Sequence, residues 1–70
     1  GSLKELADCK VGLIGFGAIG KATADMLHAF GVTVYYTKRH RLDIEEEARY
    51  QVQYLPMDEL LKTCDMISLR

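Results

Sequence analysis

Apolar and polar positions change their period several times along this chain. Val11-Gly12-Leu13-Ile14 is a short, nearly continuous apolar run, the pattern of a strand buried on both faces. Glycines follow at once at 15, 17 and 20. Over residues 18–30 the apolar positions Ile19, Ala22, Met26, Leu27 and Phe30 fall on a helical stripe, with Lys21 and Asp25 paired at i, i+4 on the wet side. Gly31 stands where a left-handed residue ends a helix. Val32-Thr33-Val34-Tyr35-Tyr36 returns to β-branched and aromatic residues and predicts a second strand. Lys38-Arg39-His40-Arg41 is a basic loop. Asp43 is placed to cap a short helix through Glu45, Glu46, Glu47 and Ala48, whose acids suit a first turn. Val52-Gln53-Tyr54-Leu55 predicts a short third strand before Pro56, residues 58–63 a short helix carrying Leu60 and Leu61, and residues 65–69 a last strand.

Strands and helices therefore alternate, which argues for a parallel sheet joined by right-handed crossovers. The expected architecture is α/β, with four parallel strands in the order 3-2-1-4 and helices on both faces. Gly1-Ser2 reads as the remnant of an expression tag. No turn or cap follows the last strand, so residues 3–70 read as a piece of a larger domain, cut after its fourth strand. That cut predicts an exposed edge and self-association through it.

Composition narrows the class. Of the 70 residues, 49% are apolar and 27% charged, the balance of a soluble globular chain. A net charge of −1 gives no general attraction to nucleic acid or anionic lipid. No apolar run approaches the length of a membrane span, and no secretory signal is visible. A chain this short holds only about 3–5 kcal/mol of net stability, which suits a binding unit better than a self-sufficient enzyme. Cys9 and Cys64 have neither CxxC nor metal-ligand spacing. They read as half-buried thiols of a reducing cytoplasm, although spacing alone permits one bridge.

The chemistry lies in Gly15-Phe16-Gly17-Ala18-Ile19-Gly20, which fits G-x-G-x-x-G between a predicted strand and a predicted helix. In such a site Gly15 permits the tight turn, Gly17 lets a pyrophosphate approach the backbone, and Gly20 lets the helix pack close to the first strand. The helix start then points free N–H groups and a positive dipole end at the phosphates. A Walker A loop is excluded, because no Gly-Lys followed by Ser or Thr closes the motif. A carboxylate that binds the ribose 2′-OH of NAD is expected about 20 residues on. Thr37, Lys38, Arg39, His40 and Arg41 stand there instead. Lys38, Arg39 and Arg41 attract a 2′-phosphate that a carboxylate would repel, which favours NADP with NAD as the alternative. A plain solvated loop, offset by Asp43 and Glu45 to Glu47, is the rival reading. No catalytic grouping is visible. His28 reads as a surface or packing residue, Tyr35, Tyr36, Tyr50 and Tyr54 as packing, and Met26, Met57 and Met66 as core.

Four segments in order carry a resemblance: Lys10 to Lys21, Ala29 to Val34, Asp58 to Leu61, and Cys64 to Leu69. Together they resemble the cofactor-binding domain of D-isomer-specific 2-hydroxyacid dehydrogenases. The resemblance implies a Rossmann-like half-domain of an oxidoreductase that moves hydride between a nicotinamide cofactor and a 2-hydroxy or 2-oxo acid. It also implies that the family's catalytic Arg, Glu and His lie beyond Arg70, so this chain carries none of them. Family members commonly have Asp where this chain has Lys38, which again points to NADP. Two other functions fit the same residues: dinucleotide sensing without catalysis, and a minimal folding unit.

Overall fold

A computed structural model describes residues 6–69; the tag reading of Gly1-Ser2 lies outside them. The elements are β1 (Lys10–Ile14), α1 (Ala18–His28), β2 (Thr33–Thr37), α2 (Ile44–Tyr50), β3 (Val52–Tyr54), α3 (Met57–Thr63) and β4 (Met66–Leu69). Every strand pair is parallel and the order is β3-β2-β1-β4, as the alternation predicts.

Register decides which residues share a face. Val11 lies beside Val34 and Leu13 beside Tyr36, while Val34 and Tyr36 lie beside Val52 and Tyr54 on β3. Partners in register point the same way, so these side chains form one face. α1 and α2 cover it, adding Ala24, Leu27 and Tyr50, and the buried cluster also takes in Phe16 and Val32. The opposite face is thinner. Gly12 of β1 faces α3 so closely that a Cβ there would lie 2.9 Å from Leu60 Cγ, 2.9 Å from Cys64 Sγ and 3.1 Å from Ile67 Cδ1. Leu60 is wholly buried in that contact. Helices thus lie on both faces, and the missing side chain of Gly12 sets how near α3 comes.

The predicted stripe of α1 needs correction. Ile19, Met26 and Phe30 are exposed, and the residues turned to the sheet are Gly20 and Ala24. Small residues one turn apart let the helix axis approach the sheet, and that close contact displaces the bulkier stripe to the surface. Ala18, Ile19, Ala22, Thr23 and Met26 line a shallow apolar hollow there instead. Met57 and Met66 are likewise exposed rather than core. Lys21 is half-buried, its Nζ 5.0 Å from the centre of the Tyr50 ring, and Asp25 is not its partner. His28 Nε2 donates to the Tyr50 carbonyl at 3.0 Å, tying α1 to the end of α2.

Other local signals hold. α1 stops at His28, with Gly31 at φ 77° donating to His28 O at 2.9 Å and Val32 N donating to Leu27 O at 3.3 Å, a Schellman closure. Asp43 Oδ1 accepts from Glu46 N at 2.8 Å, the expected cap of α2. Asp65 joins the start of β4 to β1: its N–H donates to Lys10 O at 2.8 Å and its carboxylate accepts from Lys10 N at 2.8 Å. No disulfide joins Cys9 and Cys64. Burial, with the charge of Asp65 adding to it, pushes the Cys64 thiol above its ordinary range. Among the described residues no helix is long and apolar enough to cross a membrane.

Candidate functional site

The chain leaves β1 through a turn whose parts are fixed by backbone. Gly15 has φ 94°, a conformation that favours glycine, and its N–H donates to Thr37 O at 2.8 Å. That bond joins the end of β1 to the end of β2. Phe16 points inward, 3% exposed, with its ring 5.4 Å from Tyr36 and 5.8 Å from Tyr50. What Phe16 offers a ligand is therefore main chain; its side chain anchors the turn from below. Gly20 makes room for that anchor, since a Cβ there would lie 3.2 Å from Phe16 Cδ1 and 3.6 Å from Gly15 O. The glycine at 20 thus lets the start of the helix sit close over the turn.

Gly17 is different. It is exposed, and a Cβ placed on it meets nothing within 4 Å. It is also the N-cap of α1, with no side-chain cap and no acidic residue in the first turn. The first helical hydrogen bond runs from Lys21 N to Gly17 O at 3.0 Å. The N–H groups of Ala18, Ile19 and Gly20 precede it and have no helical acceptor. The result is an open, backbone-lined, electropositive cradle, and Ala18 and Ile19 leave it solvent-facing. It fits a pyrophosphate: there is space over Gly17, donors beneath it, and no side chain competing for them. The cradle also lies at the carboxyl ends of the strands, beside β1, from which the sheet runs one way to β2 and the other way to β4. That is the switch point where open α/β sheets bind ligands.

The basic loop divides its cations. Thr37 is buried at the strand end. Lys38 Nζ donates to Phe16 O at 3.4 Å, which brings its ammonium to the glycine turn. Arg39 and His40 are exposed. Arg41 turns the other way. Its guanidinium donates twice to the Glu47 carboxylate, Nε to Oε2 at 3.0 Å and Nη2 to Oε1 at 3.1 Å, and its Cζ lies 5.0 Å over the Tyr54 ring. Tyr36 completes the group. Its hydroxyl donates to Glu47 Oε2 at 2.6 Å and accepts from Leu42 N at 2.9 Å. The hydrogen bonds from Arg41 hold the Glu47 carboxyl below the usual carboxylate range, against the opposing effect of burial. Burial, and then the hydrogen bond to Glu47, push the Tyr36 hydroxyl up to about 12.

Sequence reasoning brought Gly15 to Gly20, Thr37 and Lys38 to one place, and the structure does the same. It separates Arg41 from them. Glu47 was not singled out, and its spacing of six from Arg41 matches no helical pair. Only the return of the chain through Asp43 makes the contact. Among the described residues no group of His, Cys, Asp and Glu is arranged to hold a metal ion.

A parallel sheet in this order, with a glycine turn opening an uncapped helix at its carboxyl edge, defines a Rossmann-type dinucleotide-binding protein. The chain belongs to the D-isomer specific 2-hydroxyacid dehydrogenase family, whose NAD binding domain matches residues 1–70. It is 39% identical over 66 residues to a D-specific alpha-keto acid dehydrogenase of Enterococcus faecium, covering 94% of this chain and 18% of that protein. Among solved structures it superposes on a protein of Pyrococcus horikoshii OT3 with TM-score 0.83 and 45% identity, over 91% of this chain and 19% of the other. The NAD complexed form of a D-isomer specific 2-hydroxyacid dehydrogenase from Lactobacillus delbrueckii ssp. bulgaricus gives TM-score 0.81 and 35% identity, over 94% and 19%. The chain thus spans under a fifth of the length of these relatives.

Proposed function

We propose that this chain holds the pyrophosphate and the adenosine ribose of a nicotinamide dinucleotide for a cytoplasmic D-2-hydroxyacid dehydrogenase, with NADP preferred over NAD. The observation that carries the reading is the open, uncapped start of α1 over Gly17, with the ammonium of Lys38 at the neighbouring carbonyl of Phe16. The backbone of Gly15, Phe16, Gly17, Ala18, Ile19 and Gly20 binds the pyrophosphate, and Thr37 closes the turn through its carbonyl. Lys38 and Arg39 bind the 2′-phosphate. Arg41 shares the loop but is engaged with Glu47. When bound, the dinucleotide supplies the nicotinamide that exchanges hydride with a 2-hydroxy or 2-oxo acid. Groups outside this chain handle the proton and the acid. NAD is the competing ligand, both because a solved relative is a complex with NAD and because the pyrophosphate cradle is common to both.

Calorimetric titration with NADP, NAD and 2′-phospho-AMP at two salt concentrations tests this. The expected result is tighter, salt-sensitive binding of the 2′-phosphorylated ligands, lost in the Lys38→Asp, Arg39→Ala variant. Equal affinity for NAD and NADP refutes the phosphate assignment, and absence of any binding refutes the site. We further propose self-association through β4, which among the described residues pairs only with β1 and exposes Met66, Ile67 and Leu69.

A further inference from the structure

The loop after β2 carries three formal cations that a 2′-phosphate can recruit, yet only part of that charge faces the glycine turn. Lys38 reaches Phe16 O. Arg41 is drawn over Tyr54 on the edge strand β3, where its Nε and Nη2 both donate to Glu47. The Arg41 side chain is 58% exposed, whereas that of Glu47 is 12% exposed and is also held by the Tyr36 hydroxyl. The carboxylate is the more buried and better anchored partner of the pair, the guanidinium the more exposed one.

Resting on the dinucleotide reading above, we infer that Glu47 is a specificity-determining positioning residue: it holds Arg41 out of the 2′-phosphate subsite and so limits the preference for NADP. Two effects act in the same direction. The carboxylate occupies the Nε–Nη2 edge of the guanidinium, one of the two edges that can bind a phosphate bidentately, and fixes where the other edge points. Its charge also cancels that of Arg41 within the loop, which leaves Lys38 and Arg39 as the effective attraction. Tyr36 and Leu42 keep the arrangement in register, because the one hydroxyl links Leu42 N to the carboxylate. Release of Arg41 adds one exposed charge-assisted contact to the 2′-phosphate and nothing to the 2′-hydroxyl of NAD.

The test is the ratio of NADP to NAD affinity, measured by calorimetry on the unmodified chain, on Glu47→Ala and Glu47→Gln, on Arg41→Ala, and on the Glu47→Ala, Arg41→Ala pair. Glu47→Gln keeps an acceptor for Tyr36 while dropping the charge, so it covers the case in which the alanine variant folds poorly. The expected result is a ratio raised about three- to fivefold in the Glu47 variants, the reach of one exposed charge contact, with the gain lost once Arg41 is also removed. A parallel fall of NAD and NADP affinity in the Glu47 variants makes the residue merely structural and overturns the inference. A gain that survives loss of Arg41 overturns it too. Binding of neither dinucleotide by the unmodified chain overturns the site itself, an outcome visible before any variant is made.

Discussion

Placing alanine at Gly12 and at Gly17 separates the two uses this chain makes of glycine. A methyl at Gly12 arrives 2.9 Å from Leu60 Cγ and Cys64 Sγ and 3.1 Å from Ile67 Cδ1. Ile67 is 40% exposed and can give way, and the Cys64 thiol can rotate, but Leu60 is fully buried and its close packing opposes the χ1 rotation that would move Cγ aside. α3 must therefore shift off the sheet. Overpacking of this kind costs about 1–3 kcal/mol, against about 3–5 kcal/mol available to a chain this small. With an m-value of about 1 kcal/mol/M in urea, the midpoint falls by about 1–3 M. Gly17 meets no atom within 4 Å and has φ −106°, which any residue adopts. Alanine there gains up to about 1 kcal/mol through the unfolded chain and gives back a similar amount at the N-cap, where glycine is preferred to alanine, so its net effect is small. The same unfolded-state gain applies at Gly12, so the difference between the two variants, less the cap contribution, isolates the clash. For the ligand the order reverses. Gly17→Ala puts a methyl where the proposed site seats the pyrophosphate, and dinucleotide affinity is expected to drop about tenfold, the worth of one hydrogen bond to a charged group. Urea unfolding followed by circular dichroism, with calorimetry for the ligand, reads both. A Gly12→Ala chain within about 0.5 kcal/mol of its parent, the scatter of neutral surface changes, would refute the packing argument. Gly17→Ala that binds dinucleotide normally would refute the cradle.

Tyr36→Phe keeps the ring contacts with Phe16 and Tyr54 but removes the bonds to Glu47 and from Leu42 N, and about 1–2 kcal/mol of stability goes with them. The hydroxyl is raised from 10.0 to about 12 in the folded chain, so the unfolded chain loses that proton first. Its contribution is complete below pH 10 and is lost as pH rises from there toward 12. Subtracting the pH–stability curve of Tyr36→Phe from that of its parent must leave this alkaline fall; a flat difference refutes it. For β4, sedimentation at about 100 μM, where micromolar pairing is visible, is expected to show a dimer or larger species that Ile67→Lys returns to monomer, since charge blunts a strand edge. A monomeric parent refutes the edge proposal.

How legible each feature was follows from which force sets it. The parallel sheet was readable from alternation, and the order 3-2-1-4 is one of the few that short connections and right-handed crossovers leave. Asp43 and Gly31 were readable because caps act within a few residues. The face of α1 was not. Ile19, Met26 and Phe30 make a sound apolar stripe, but hydrophobicity does not report how close two backbones can come, and Gly20 with Ala24 wins the sheet by being small. Gly12 was hidden by the same logic inside an ordinary apolar run. Glu47 lay among three acids in a row, and nothing local separates the one that meets Arg41 and Tyr36 from Glu45 and Glu46.

The same contrast explains how the candidate site is divided. On the proposed reading its pyrophosphate half is backbone: a left-handed Gly15, an open Gly17 and the first N–H groups of α1. Such a cradle tolerates change in most side chains, responds to any dinucleotide, and is written in the sequence as glycine spacing. Its ribose half is made of side chains on a loop, and their charge counts only after their partners are known. Three cations in four residues read as a strong phosphate site until Glu47 is seen holding Arg41. The effective attraction is then the reach of Lys38 to the turn plus an exposed Arg39. On the proposed reading, affinity for the cofactor class rests on the turn after β1, whereas the choice between NAD and NADP rests on the packing of α2 against β2. Substitutions in α2 that never touch the ligand should move that choice while leaving the pyrophosphate contribution intact.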